Sequence, residues 1–163
     1  GALNLDGNSW AEVHDNASVD VTTGLTLETW VYWSGNKNDE GVLGKWFPSP
    51  NQSYLLYANS NQVKFFTITS STTYTGMTTG WHHIVGTYDG AGRKLYIDGA
   101  YEAGNAYSTP LAVSDKPVEI GRYYGGSATN PYTDQIAQPR IYNRALTAEE
   151  VQRNYNAGKN IYK

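Results

Sequence analysis

Two chain reversals packed into residues 81–99 (WHHIVGTYDGAGRKLYIDG) constrain what the whole sequence can fold into. Tyr88-Asp89-Gly90 closes a first segment, and Gly90 and Gly92 supply the φ freedom that a reversal needs. Residues 94–97 then alternate, with Leu95 and Ile97 on one face and Lys94 and Tyr96 on the other. Asp98-Gly99 follows at once, a strong signal for a two-residue hairpin turn. No crossover helix fits between segments this close, so these strands pair antiparallel. The stretch is the middle of a meander.

The rest of the chain is consistent with that centre. Leu25–Trp33 is apolar on both faces, as a central sandwich strand should be. Further strands are expected at 2–5, 10–13, 42–45, 53–58, 63–69, 72–75, 100–102, 118–122 and 135–143. Loops are expected over 35–41 and, glycine-rich, over 123–133. Residues 46–51 (WFPSPN) also read as a loop, because two prolines cannot sit within a central strand. Thr147 and Glu150 have capping-box spacing, with Leu146 and Val151 as the hydrophobic staple and Gly158 as the stop. With 14 Tyr, 5 Trp and 17 Gly, strands and tight turns are favoured over helices. The 163 residues show no internal repeat or linker, so a single domain over residues 1–163 is expected. The expected fold is all-β: a two-sheet antiparallel sandwich of jelly-roll type with a short C-terminal α-helix.

Several function classes are disfavoured. The net charge is −3 with no basic run, which argues against nucleic acid as a partner. No apolar run is long enough to insert into a membrane. The absence of cysteine removes disulfides, thiolate metal sites and cysteine nucleophiles. No secretory leader is visible, as a mature or excised domain would require. His82 and His83 are adjacent on a strand and point to opposite faces, so one is expected to be hydrogen-bonded inside. Glycoside hydrolysis needs two carboxylates flanking the bond, and no strand carries acids two or four residues apart on one face. The chain is therefore not expected to be an enzyme.

The Trp-His-His opening, the Thr-Tyr-Asp-Gly turn and the Leu-Tyr-Ile-Asp-Gly hairpin resemble laminin-G-like domains of the concanavalin A-like lectin-glucanase family. Leu3-Asn4-Leu5-Asp6-Gly7, Leu25-Thr26-Leu27-Glu28-Thr29-Trp30-Val31 and Ile141-Tyr142-Asn143-Arg144-Ala145-Leu146-Thr147 extend the resemblance to both ends, in order. The resemblance implies a jelly roll with a binding role. It also implies a structural calcium joining Asp6 and Asn8 of the first turn to Asp134, just ahead of the closing strand. Where that family commonly carries two further acids, this chain has Ala137 and Gln138. An ordinary Asx turn at Asp6 is the alternative.

Aromatic residues carry the functional signal. Sugar rings offer flat apolar faces rimmed by hydroxyls, so a binder needs aromatic platforms beside planar polar groups. Two expected loops combine these: Trp46, Phe47 and Asn51 in one, Arg122, Tyr123, Tyr124, Asn130 and Tyr132 in the other. Trp10 and Trp33 are ambiguous by alternation. The expected function is a non-catalytic carbohydrate-binding module recognising a polysaccharide or glycan. Such a module would be a monomeric part of a larger secreted or cell-surface protein, and the composition suits a bacterial one. The alternative is an adhesion or spacer domain that binds no sugar.

Overall fold

The computed structural model describes residues 1–125 and 129–163. Fourteen strands and one helix follow in order: β1 (Leu3–Asp6), β2 (Ala11–Val13), β3 (Leu25–Trp33), β4 (Lys37–Trp46), β5 (Gln52–Ser60), β6 (Gln62–Thr67), β7 (Ser70–Thr75), β8 (Gly80–Tyr88), β9 (Gly92–Ile97), β10 (Ala100–Ala106), β11 (Val118–Ile120), β12 (Arg122–Tyr124), β13 (Thr129–Pro131), β14 (Thr133–Tyr142) and α1 (Ala148–Gly158). They form the expected two-sheet sandwich. The first sheet runs β1-β14-β3-β8-β9-β10. The second runs β12-β13-β4-β5-β6-β7, with β11 joined to β4 and β2 joined to β11. Among the described residues only one bridge is parallel, Pro131 to Gly41, where β13 meets β4.

Alternation decides what each sheet buries. In β3 the odd-numbered Leu25, Leu27, Val31 and Trp33 face inward, in one buried cluster with Leu95 and Ile97 of β9 in the same sheet and with Leu56 and Ala58 of β5 and Val63 and Phe65 of β6 in the other. The meander forms as expected, β8 pairing with β9 and β9 with β10. Asp98 and Gly99 turn between them at φ 52° and 82°, the left-handed values that a two-residue hairpin requires.

The outward face of the first sheet is closed by α1. Thr147 and Glu150 make both hydrogen bonds of the capping box, and Leu146 and Val151 pack on Val85 and Tyr96. Beneath the helix lies Glu28, 1% exposed. Its Oε1 accepts from His83 Nε2 (2.9 Å) and an Arg140 guanidinium nitrogen (3.0 Å). Its Oε2 accepts from the Tyr142 hydroxyl (2.9 Å) and Asn154 Nδ2 (3.0 Å). One carboxylate thus ties β3, β8, β14 and α1 together. Burial alone would push this carboxyl up. The hydrogen bonds from His83 and Tyr142, with the nearby positive charge, outweigh burial and hold it below its ordinary value.

Three local expectations are corrected. The loop expected over 35–41 is mostly strand, because β4 begins at Lys37. Bulges between Lys37 and Glu40 and between Gly41 and Leu43 break the alternation that would have marked it. The loop expected over 123–133 contains the β12–β13 hairpin, whose Gly126, Ser127 and Ala128 lie outside the described residues. Gly158 is the last helical residue rather than a left-handed stop, and the cap is Lys159. Its smallness serves packing: a Cβ there would lie 2.7 Å from the Trp30 indole.

Replacing Glu28 by Ala should cost about 3–5 kcal/mol, since it strands a buried set of donors. Urea unfolding would measure this, and a loss under about 1 kcal/mol would contradict the central role given to this carboxylate. In the wild type the contribution is complete above the ordinary value of 4.5 and is lost as pH falls through the lower folded value. The Ala variant should lose less stability than the wild type over that acid range.

Candidate functional site

Among the described residues no helix lies over the outward face of the second sheet, and aromatic rings gather there. In β5, Tyr54, Leu56 and Ala58 point into the core, which sends Leu55, Tyr57 and Asn59 outward. In β6 the same alternation puts Lys64 and Phe66 outside. Trp46, Phe66, Tyr57 and Tyr123 form a row of edge-to-face contacts, with centroids 5.3, 5.7 and 5.7 Å apart in turn.

A second group lies on the other side of β12. Phe47 stacks on Tyr124 with centroids 4.9 Å apart and planes 24° from parallel. The Arg122 guanidinium lies 5.1 Å from the Tyr124 centroid and 3.5 Å from the centroid of Trp10. Glu119 Oε1 fixes that guanidinium, accepting from Nε at 2.6 Å. Trp10 remains 46% exposed. The order of contacts is Phe47, Tyr124, Arg122, Trp10.

Backbone packing makes this possible. β12 lies against β4 at Gly41, where any Cβ would come within 2.5 Å of the Tyr123 nitrogen. Gly121, at φ 88°, starts the segment and donates its N–H to the Val42 carbonyl at 2.9 Å. Only glycine at 41 lets β12 approach, and that approach sends Tyr123 to one side and Arg122 and Tyr124 to the other.

The expected site residues separate into groups. Phe47, Arg122 and Tyr124 do meet, which brings the two expected loops together. Tyr123 belongs to the neighbouring row, and Asn130, half-buried, is its partner in register. The backbone of Asn51 closes the 47–51 loop through bonds to Phe47 and Pro48. Two expectations are corrected. Trp46 is not an exposed loop residue; it ends β4 and is only 9% exposed, edge-on to Phe66. Tyr132 is core, with its hydroxyl donating to the Tyr32 carbonyl at 2.7 Å. Trp10, Tyr57 and Phe66 are aromatic members outside the two expected loops. Alternation along β5 and β6 places Tyr57 and Phe66 outside once the covered face is known, whereas Trp10 precedes β2 and carries no such signal.

The donor set for calcium does not fit. Asp6 Oδ1 accepts from Asn8 N (2.9 Å) and Ser9 Oγ (3.0 Å), the Asx turn given above as the alternative, and these bonds hold its carboxyl below the ordinary value. Asp134 is engaged by the buried ammonium of Lys37, which also donates to the Thr133 carbonyl at 2.6 Å and lies 3.7 Å from Glu40. Lys37 supplies the positive charge that a divalent ion would bring.

Two acids do come side by side between strands, Glu12 and Glu119 in the β2–β11 register. Burial, followed by the charge of Glu12, pushes the Glu119 carboxyl up although Arg122 opposes it. Glu119 is 1% exposed, and its Oε1 is engaged by the Arg122 guanidinium. A cleft of about 610 Å³ lies elsewhere, between 17–24 and 141–144, and its one aromatic ring, Tyr142, is committed to Glu28.

Lys37→Met should cost about 3–5 kcal/mol by stranding Asp134 and Glu40. Calcium or chelator should leave the wild-type melting temperature unchanged. A clear rise with calcium would restore the metal.

No curated sequence matches the chain. Among solved structures, the receptor-binding domain of botulinum neurotoxin type G superposes with a TM-score of 0.70 at 16% identity, covering 96% of this chain and 41% of that one. The binding domain of Paraclostridial Mosquitocidal Protein 1 gives 0.71 at 19% identity, covering 96% and 42%. The binding domain of botulinum neurotoxin serotype C1 gives 0.64 at 13%, covering 83% and 36%. The chain thus spans about two fifths of the solved chains it resembles, and what it shares with them is the fold. No helix among the described residues is long and apolar enough to cross a membrane. The family model described as "Concanavalin A-like lectin/glucanases superfamily" matches residues 5–152, and the chain belongs to that family.

Proposed function

We propose that the chain is a non-catalytic glycan-binding module whose ligand rests on the outward face of the second sheet. The observation that carries this reading is Trp10. It is a large indole left 46% exposed just ahead of β2, with its ring braced by Arg122 at 3.5 Å. An unused tryptophan is normally buried, and one held open beside polar groups suits the C–H face of a sugar. Tyr124 and Phe47 extend the platform, and Arg122 is already oriented by Glu119 before ligand arrives, which reduces the ordering cost of binding.

The solved neighbours named above are binding domains within longer toxins, which suits a module of a longer secreted or cell-surface protein. The aromatic face speaks against a spacer, which has no use for exposed rings. The non-catalytic part of the reading is supported by the seal over Glu119 and the four bonds that occupy Glu28.

Trp10→Ala and Tyr124→Ala should each weaken glycan binding by about tenfold, ~1.4 kcal/mol, in calorimetry, with Trp10→Ala leaving the melting temperature within a few degrees. Trp46→Ala should instead cost about 3–5 kcal/mol of stability, as truncation of a buried aromatic does. Undiminished binding by both Trp10→Ala and Tyr124→Ala would reject the platform. Release of reducing sugar by the purified domain would reject the non-catalytic assignment.

A further inference from the structure

A second polar cluster stands on the same sheet face, on the Tyr123 side of β12. Asp39 Oδ1 accepts from the Tyr57 hydroxyl and from the Asn59 amide, and Asn59 Nδ2 also donates to the Tyr57 oxygen at 3.0 Å. Asp39 holds φ 53°, a left-handed conformation that residues with a Cβ keep only where their surroundings impose it. The bulge between Lys37 and Glu40 is what turns it there.

The cluster is built, and its hydrogen-bonding capacity is not used up. Asp39 forms no ion pair with a described residue, and its Oδ2 receives no hydrogen bond from one. Asp39, Tyr57 and Asn59 are all partly open to solvent. The Tyr123 ring stands 5.7 Å from that of Tyr57, nearly perpendicular to it, and forms an apolar wall. Lys64 is the cross-strand partner of Tyr57, with its ammonium 5.7 Å from the ring centroid.

We infer that Asp39, Tyr57 and Asn59 form a second sugar subsite that reads adjacent hydroxyls of a neutral oligosaccharide lying across β12. The inference rests on the glycan-binding reading and adds to it the ligand's length and charge. A free carboxylate oxygen accepts strongly from a hydroxyl, and Lys64 donates to the hydroxyl's neighbour. Asp39 disfavours a uronate at this subsite; Lys64 is the cation beside it, with its ammonium over the Tyr57 ring, and the charge of Arg122 is already matched by Glu119. Tyr123 and Tyr124 are consecutive residues facing opposite sides of one strand, so a ligand touching both groups must be longer than one sugar.

The test is calorimetry with gluco-, manno-, galacto- and xylo-oligosaccharides of one to six units and with oligogalacturonate. The proteins are the wild type, Trp10→Ala, Asp39→Asn, Tyr57→Phe and Asn59→Ala. Asparagine tolerates the left-handed backbone, and Tyr57→Phe removes a single oxygen, so both variants keep the fold. In the series that binds, affinity should rise with length. Asp39→Asn and Tyr57→Phe should each lose about tenfold on the longest member and nothing on the single sugar. Oligogalacturonate should bind more weakly than the neutral series. If the three subsite variants bind the long ligand like the wild type while Trp10→Ala does not, the subsite is wrong and the platform stands. If oligogalacturonate binds best, the neutral ligand is wrong. If the wild type binds none of them, both readings fall.

Discussion

The open aromatic face depends on a backbone contact that only glycine permits. β12 rests on β4 at Gly41, with no room for a Cβ between that strand and the Arg122–Tyr123 backbone. From this contact the arrangement of the face follows. A strand passing so close must send alternate side chains to either side, so Tyr123 meets Tyr57 while Arg122 and Tyr124 meet Trp10 and Phe47. A methyl group at position 41 would lift β12 and move both groups at once. The sheet beneath supports the short strand above, which supplies the Arg122, Tyr123 and Tyr124 side chains of this face.

The two outward faces are treated in opposite ways. On the first sheet the face is closed by α1, and the polar residue trapped there, Glu28, is satisfied by four donors. Burying a carboxylate so completely is tolerable only with such a set of partners, and those partners come from three elements, β8, β14 and α1. On the second sheet the face stays open and its polar groups keep spare capacity, Asp39 above all. A carboxylate oxygen left to solvent beside open aromatic rings can exchange its water for a ligand hydroxyl. The corner where the family resemblance implied calcium shows a third solution, in which Lys37 is buried as an internal cation against Asp134.

Much of the fold was legible because local chemistry and global architecture agree. The meander, its Asp98-Gly99 turn and the Thr147–Glu150 capping box form as the spacing implies. What was not legible depends on which face of a sheet is covered. Alternation puts Trp46 and Tyr57 on one face, but it cannot reveal that Phe66 seals the first while the second stays half-open. Prolines at 48 and 50 marked a loop correctly, yet the strand before it runs on through Trp46. Tyr132 looked like part of a loop because its neighbours are glycine, asparagine and proline, but its ring packs inward. Lys37 and Asp39 were hidden by bulges, which erase the period-two signal where the functional backbone departs from regular geometry.

On the proposed reading the ligand lies across the outward face of the second sheet, over β12. Amide and indole chemical-shift mapping during titration with the best-binding neutral oligosaccharide tests it most directly. Shifts are expected at the Trp10 indole, at Asp39, Tyr57 and Asn59, and along Arg122 to Tyr124, with the α1 face unmoved. Shifts confined to the cleft between residues 17–24 and 141–144 would contradict it.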